Sequence, residues 1–306
     1  MYSNDKLEKG YVVALGNFDG LHKGHMAVIN AAKNMAAQTG AEPCICTFIE
    51  HPLKELKGQA PPALFDGGVK EEIFCNTGIK VIRLEFTAVK DMSPEEFFNE
   101  VLIKNLNAKG VCCGFDYNFG AKGAGTPELL EKLCKEAGIS FSVSPAMNVD
   151  GEPISSTRIR QALSDGNIEL ANRMLGRPYK FRQRVVDGEK RGRTWGMPTI
   201  NQPYPEDLVV PRFGVYATRC IIDGIDYYGA TNIGVSPTVK VGEPVTAETY
   251  ILEYDGDLYG KYVDICLLEF LRPEERFESV EELKEQMEKD IEMVRALSER
   301  KILPLQ

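Results

Sequence analysis

Gly16-Asn-Phe-Asp-Gly-Leu-His-Lys-Gly-His25 follows the apolar run Tyr11-Val-Val-Ala-Leu15 and precedes an Ala-rich stretch, Met26 to Thr39, that stops at Gly40. Strand, glycine-rich turn, then helix is how a parallel α/β sheet opens. The turn falls at the carboxyl edge of that sheet, where open α/β sheets bind ligands. Gly16, Gly20 and Gly24 let the backbone turn tightly and approach a ligand closely. The N–H groups and positive dipole end of the helix that follows suit a phosphate. His22 and His25, three apart, can both be aimed at that phosphate, and imidazoles so placed stabilise charge building on phosphoryl oxygens during transfer. No Gly-Lys-Ser/Thr ending is present, so the loop is not a P-loop. The competing reading is a glycine-rich turn with two incidental histidines. Against it, the chain has only three histidines, His22, His25 and His51, and two of them sit in this loop.

Outward from the loop, apolar runs alternate with helical stretches as far as about 175. Cys44–Phe48, Lys80–Leu84, Val111–Gly114 and Phe141–Val143 read as strands. Ser93-Pro-Glu-Glu96 opens a helix with a Ser cap, Pro at the first position and a capping box. Thr126-Pro-Glu opens another, ending near Gly138. This order predicts a parallel sheet covered on both faces. From about 180 the rhythm changes to short strand-like runs between Gly and Pro: Val185-Val186, Gly214–Ile222, Asp226–Ala230, Thr249–Tyr254 and Asp264–Phe270. That spacing predicts a small barrel or sandwich. A terminal helix follows, capped by Ser279 and Glu282, with Val280, Leu283, Met287, Ile291 and Val294 on one face. The boundary is expected near Leu175-Gly-Arg-Pro178, giving domains 1–176 and 177–306.

At 306 residues there is chain enough for two cores. Net charge is 36 − 45 = −9, which disfavours sequence-independent binding of a long nucleic acid. No apolar run approaches the ~20 residues of a membrane helix, so neither nucleic acid nor membrane is expected as a partner. The eight cysteines form no C-x-x-C pair and sit mostly in apolar stretches. They read as buried reduced thiols, Cys44 and Cys46 on one strand face, and the expected compartment is the cytoplasm. A basic cluster, Arg177 to Arg193, reads either as an attractor of phosphate ligands or as a solvated surface.

The Gly16–His25 loop resembles the H-x-G-H signature of nucleotidylyltransferases. In its longer form, G-x-F-D-G-x-H-x-G-H, it resembles the bacterial bifunctional riboflavin kinase/FAD synthetase family. Ile154-Ser-Ser-Thr-Arg-Ile-Arg160 matches that family's I-S-S-T-x-I-R in full. The resemblance implies a Rossmann-like N-terminal nucleotidylyltransferase domain that transfers AMP from ATP to FMN. It implies His22, His25 and Arg160 as catalytic groups, with Gly16, Asn17, Phe18, Gly24, Ser155, Ser156 and Thr157 around ATP. Gly114-Phe-Asp-Tyr-Asn-Phe-Gly120 resembles the family's flavin-side segment and implies flavin contacts from Asp116, Tyr117 and Phe119, the alternative being core aromatics at a strand end. Phe48-Ile-Glu-His-Pro52 matches the family's F-x-P-H-P only in part, and His51 reads as a loop histidine.

The second half is similar to the family's riboflavin kinase module, a small antiparallel β-barrel ending in a helix. Gly192-Arg-Thr-Trp-Gly-Met-Pro-Thr-Ile-Asn201 resembles G-R-x-x-G-F-P-T-x-N, with Met197 at the position of the Phe. By the resemblance Gly192 and Arg193 bind ATP, Thr199 and Asn201 hold Mg²⁺, and Glu248 is the kinase general base. Pro211–Ala217, Asn232–Thr238, Asp257–Gly260 and Leu271–Phe277 match further segments in order. Gln183, Asp187 and Trp195 depart from the usual family residues and bear on the shape of the nucleotide flap. The implied ligands are riboflavin, FMN, ATP and the product FAD, with Mg²⁺; oligomeric state is left open. Two other readings stand beside this one: a chain with one active half, and a flavin-binding regulator on the same fold.

Overall fold

A computed structural model describes residues 10–188, 196–235 and 244–300. They divide into two compact units, 1–61 with 71–155 and 62–70 with 156–306. The expected functional boundary at 176/177 lies twenty-one residues beyond the division at 155/156.

In the first unit the strands are β1 (Tyr11–Leu15), β2 (Glu42–Phe48), β3 (Lys80–Leu84), β4 (Ala108–Gly114) and β5 (Ser140–Ser144). All pair in parallel, in the order β3-β2-β1-β4-β5. Every residue of β1 is buried, as a central strand covered on both faces must be. The chain runs from β1 towards β3 on one side and through β4 to β5 on the other. A topological switch point therefore lies at the carboxyl ends of β1 and β4. The helices are α1 (Lys23–Thr39), α2 (Pro52–Lys57), α3 (Gly67–Asn76, its residues 67–70 counted with the second unit), α4 (Phe86–Val89), α5 (Pro94–Glu96) and α6 (Pro127–Glu136). The capping box of α5 is complete, Glu96 N–H donating to Ser93 Oγ (3.1 Å) and Ser93 N–H to Glu96 Oε2 (2.8 Å). Beyond α5 the chain winds as a π-helix, Phe97–Asn105, which no pattern in the sequence announces. Cys44 and Cys46 share one core with Phe97, Phe98 and Phe119, and all eight cysteines are free thiols, only Cys75 being exposed.

The first unit ends in a short hairpin, β6 (Asn148–Val149) and β7 (Glu152–Pro153), and the second holds α7 (Ser156–Ser164), α8 (Ile168–Leu175), β8 (Tyr179–Arg184), β9 (Thr199–Pro203), β10 (Gly214–Ile222), β11 (Ile225–Gly234), β12 (Thr246–Ile251), β13 (Tyr262–Arg272) and α9 (Val280–Arg300). Six antiparallel strands run β8-β13-β10-β11-β12-β9. The curled sheet nearly closes: Val186 bridges Asn201, and buried Gln202 Nε2 donates to Gln183 O (2.7 Å) and Val263 O (3.0 Å). Inside, Thr218, Thr231 and Thr249 form a fully buried hydroxyl ladder with 2.9 Å links. Outside, α9 lays Ile291 and Val294 on Ala217, Ala230 and Tyr250. Val280, expected on this stripe, is exposed; the packed face starts a turn later. Arg272 holds α9 through a bidentate pair with Asp290 (3.0 and 2.8 Å).

The segment 62–70 belongs to this unit although it precedes β3 in sequence. Ala63 pairs with Leu208, and Phe65 stacks on Tyr179 with ring centroids 5.6 Å apart. Asn172 of α8 is another anchor, accepting from Tyr179 N–H (2.7 Å) and donating to Leu267 O (2.9 Å). Of the basic cluster, Lys180 and Arg182 both grip buried Asp264, and Arg177 lies over Phe65, its guanidinium brought down to about 10 by burial. Lys190, Arg191 and Arg193 lie outside the described residues.

Candidate functional site

In the first unit the β1–α1 loop is held in an uncommon backbone. Phe18 is left-handed (φ 51°), and Gly20 follows at φ 80°. Two ties fix it: Thr47 Oγ1 donates to Asn17 O (3.0 Å), and Gly16 N–H donates to Cys46 O (3.4 Å). Phe18 is fully buried, its ring against Gly16 and edge-on to His25 (5.3 Å). His22 caps α1, which therefore begins at Lys23, three residues before the sequence pattern placed it. Its Nδ1 accepts the His25 N–H (3.3 Å). An Nδ1 that accepts leaves the single proton of the neutral ring on Nε2, which is then a donor. The two imidazoles stack, centroids 3.6 Å apart and 15° from parallel. Gly24 makes room, since a Cβ there would stand 3.1 Å from His22 Cε1. Glycines, helix terminus and both histidines thus converge at the switch point.

Beside it, after β4, the 114–120 segment divides its aromatics. Phe119 is buried against Phe97, and Tyr117 stacks on Phe119 (6.0 Å), its phenol pushed well up by burial. Asp116 is exposed, and the exposed aromatic is Phe115. His51 caps α2, accepting Leu53 N–H (3.2 Å). Ser155 closes the first unit; Ser156, Thr157 and Arg160 lie in α7 of the second. There Arg160 Nε donates to Pro62 O (2.6 Å).

In the second unit β9, β12 and β11 bring three residues into one row. Asn201 is the direct partner of Glu248, and Glu248 of Asn232. Direct antiparallel partners project from the same face. Thr199 is two residues from Asn201, on that same face, and lines an open cleft with Val185, Pro198, Tyr254 and the Asp257–Tyr259 loop. Glu248 is exposed and Thr249, next to it, is interior, so alternation turns the carboxylate out of the barrel. Asn201 lies against Gly188, where a Cβ would come within 2.3 Å of its Nδ2. Hydroxyl, carboxamide and carboxylate oxygens side by side suit a hard divalent cation sharing substrate phosphates. Among the described residues no group of three His, Cys, Asp or Glu could hold a metal by itself.

Comparison with known proteins bears on both constellations. A family model described as FAD synthetase matches residues 4–158, and one described as riboflavin kinase matches 175–298. A bifunctional riboflavin kinase/FMN adenylyltransferase of Listeria monocytogenes is 38% identical, covering 93% of this chain and 91% of that one. The Bacillus subtilis protein of the same description is 35% identical, covering 91% and 90%. The chain belongs to the bifunctional riboflavin kinase/FMN adenylyltransferase family. A solved structure described as a macrolide-efflux protein from Streptococcus pneumoniae has the same fold, with a TM-score of 0.87 at 32% identity, covering 94% of this chain and 95% of that one. Among the described residues no helix of this chain is long and apolar enough to cross a membrane.

Within the family frame, Gly192, Arg193 and Trp195 lie outside the described residues. Gln183 gives its carbonyl to the strand closure described above, so that departure sits in the barrel wall. Asn232 in the row and Gly188 beside it carry no role in the sequence motifs. Gly188 belongs to no quoted motif, and Asn232 stood only as the first letter of one. Neither has a local signal: Asn232 meets Glu248 through strand pairing, and Gly188 meets Asn201 across the chain.

Proposed function

We propose that the chain makes FAD from riboflavin in two ATP-dependent steps at two sites, the phosphorylation in residues 177–306 and the adenylylation in 1–176. The observation that carries this reading is the separation of two different chemistries: stacked imidazoles at a helix start in one compact unit, and a carboxylate beside oxygen donors in the other.

In the kinase step Glu248 takes the proton of the ribityl 5′-hydroxyl as that oxygen attacks the γ-phosphorus of ATP and ADP leaves. Thr199 and Asn201 would hold Mg²⁺, which when bound neutralises charge on the phosphates. Gly192 and Arg193 are assigned to ATP. In the adenylylation step an oxygen of the FMN phosphate attacks the α-phosphorus of ATP, and pyrophosphate leaves; no nucleophile on the protein is required. His22 donates from Nε2 to the reacting phosphate, with His25 stacked on it as the second imidazole. Gly16, Asn17, Phe18 and Gly24 shape the ATP site, and Ser155, Ser156, Thr157 and Arg160 bind the polyphosphate. Asp116, Tyr117 and Phe119 carry the flavin side, with Phe115 as its outward aromatic. We place both reactions in the cytoplasm, where eight unpaired thiols are at home.

The test is a time course with riboflavin, ATP and Mg²⁺, the flavins being separated by chromatography. FMN first and FAD after it is the expected order. Riboflavin left unconverted while added FMN becomes FAD would remove the kinase assignment.

A further inference from the structure

Glu248 has a carboxamide on each side, and the two differ in surroundings. Asn201 lies against Gly188. Asn232, the partner on β11, donates from Nδ2 to Glu274 Oε1 (3.3 Å). Glu274 follows the end of β13, and its carboxylate lies directly on the backbone of Gly234: a Cβ at 234 would stand 1.9 Å from Oε1. Glycine at 234 is thus what admits this carboxylate beside Asn232. A primary carboxamide nitrogen carries two N–H donors. With one of them committed to Glu274, the amide cannot turn over without losing that bond, and its orientation is set.

We propose that Asn232 is a positioning residue for riboflavin phosphorylation: Glu274 orients its carboxamide, and the second N–H donates to the Glu248 carboxylate and aims it at the substrate hydroxyl. This rests on the reading of Glu248 as the general base. During the step the proton passes from the ribityl hydroxyl to Glu248, the new bond forms between that oxygen and the γ-phosphorus, and the bond to the ADP oxygen breaks. Asn232 keeps its two donated bonds and exchanges no proton. Direct cross-strand partners, with Cβ atoms about 4.5–5.5 Å apart, are within reach of such a bond.

The experiment compares Asn232→Leu, Glu274→Ala and Glu274→Gln in the full chain, each assayed for riboflavin phosphorylation and, in the same preparation, for FMN adenylylation. Asn232→Leu is expected to lower the phosphorylation kcat about 10- to 100-fold, the equivalent of one hydrogen bond to a charged group. KM for riboflavin and for ATP stays within about twofold, and adenylylation is unchanged, which certifies the fold. Glu274→Ala lowers kcat in the same direction, and Glu274→Gln, whose Oε1 still accepts, restores it. An unchanged kcat in Asn232→Leu, an effect on KM alone, or a Glu274→Gln no better than Glu274→Ala overturns the proposal. Glu248→Gln is run alongside to keep the two readings apart. If it still phosphorylates riboflavin, the base assignment fails whatever Asn232 does; if it is inactive while Asn232→Leu is fully active, only the positioning role falls.

Discussion

Asn201 and Glu248 are direct partners across β9 and β12, so a proposed cation-binding carboxamide and a proposed base leave the sheet side by side on one face. That pairing ties metal and proton chemistry to a single strand register, which a slip of one residue would send to opposite faces. Replacing Glu248 with Gln keeps the shape and removes the base. Riboflavin phosphorylation is expected to fall about 10²- to 10⁴-fold, the usual contribution of general base catalysis. Adenylylation of added FMN stays at its original rate. Steady-state kinetics on each reaction checks this, and equal losses in both would refute it.

Gly24 is the residue that lets His22 take its place. In Gly24→Ala the added methyl meets the imidazole at 3.1 Å. Displacing the ring from its seat on His25 lowers FAD formation by about tenfold or more, on the scale of one lost transition-state donor. FMN formation is expected to be unaffected. A variant with wild-type FAD formation would detach the ring's position from the reaction.

Asp290 is buried, and its pairing with Arg272 joins α9 to the barrel. Removing one partner of a buried pair leaves an uncompensated charge and costs about 3–5 kcal/mol. Asp290→Ala should therefore unfold at much lower urea concentration, with phosphorylation lost before adenylylation as the helix leaves the sheet. A midpoint within error of the parent would show that the pair adds nothing.

Asp264 gives stability a dependence on acid. Burial alone raises its pKa, but hydrogen bonds from Arg182 and Lys180 and their charges outweigh that and hold it below the ordinary 3.8. A depressed carboxyl stabilises the fold fully above its unfolded pKa, and the contribution is lost as pH falls through the folded value. The acid limb of unfolding, below about pH 4, is expected to be shallower in Asp264→Asn. Parallel acid limbs for the two proteins would mean that other carboxylates set it.

Burial pushes the thiols of Cys46, Cys112, Cys113, Cys134 and Cys220 up to about 12, leaving essentially no thiolate near neutral pH. A thiol reagent should label one residue quickly in the native protein, exposed Cys75, and all eight after denaturation. Rapid labelling of two or more would contradict the packing described here.

Much of this architecture is legible in the residues. The all-apolar Tyr11–Leu15, the glycines after it, and Gly40 as a left-handed cap are local signals, and they marked the sheet's switch point. β8 was not legible. Tyr179-Lys-Phe-Arg-Gln-Arg184 alternates as a strand should, but its outward basic residues read as a charge cluster, and the carboxylate that gathers two of them, Asp264, is far along the chain. Nor could the sequence show that 62–70 joins the second unit, since Ala63 meets Leu208 only through tertiary pairing. At the sites, the His pair and the Thr199–Asn201 motif announce themselves. That Asn232 stands beside Glu248 is a matter of register, visible only once the strands are paired.

The most direct test of the two-site account is complementation. His25→Ala and Glu248→Gln are assayed with riboflavin, ATP and Mg²⁺, separately and then mixed. The account predicts that the first accumulates FMN, the second converts only added FMN, and the mixture makes FAD because FMN passes between molecules through solution. Failure of His25→Ala to make FMN, or a mixture that yields no FAD although each variant keeps its remaining reaction, would contradict it.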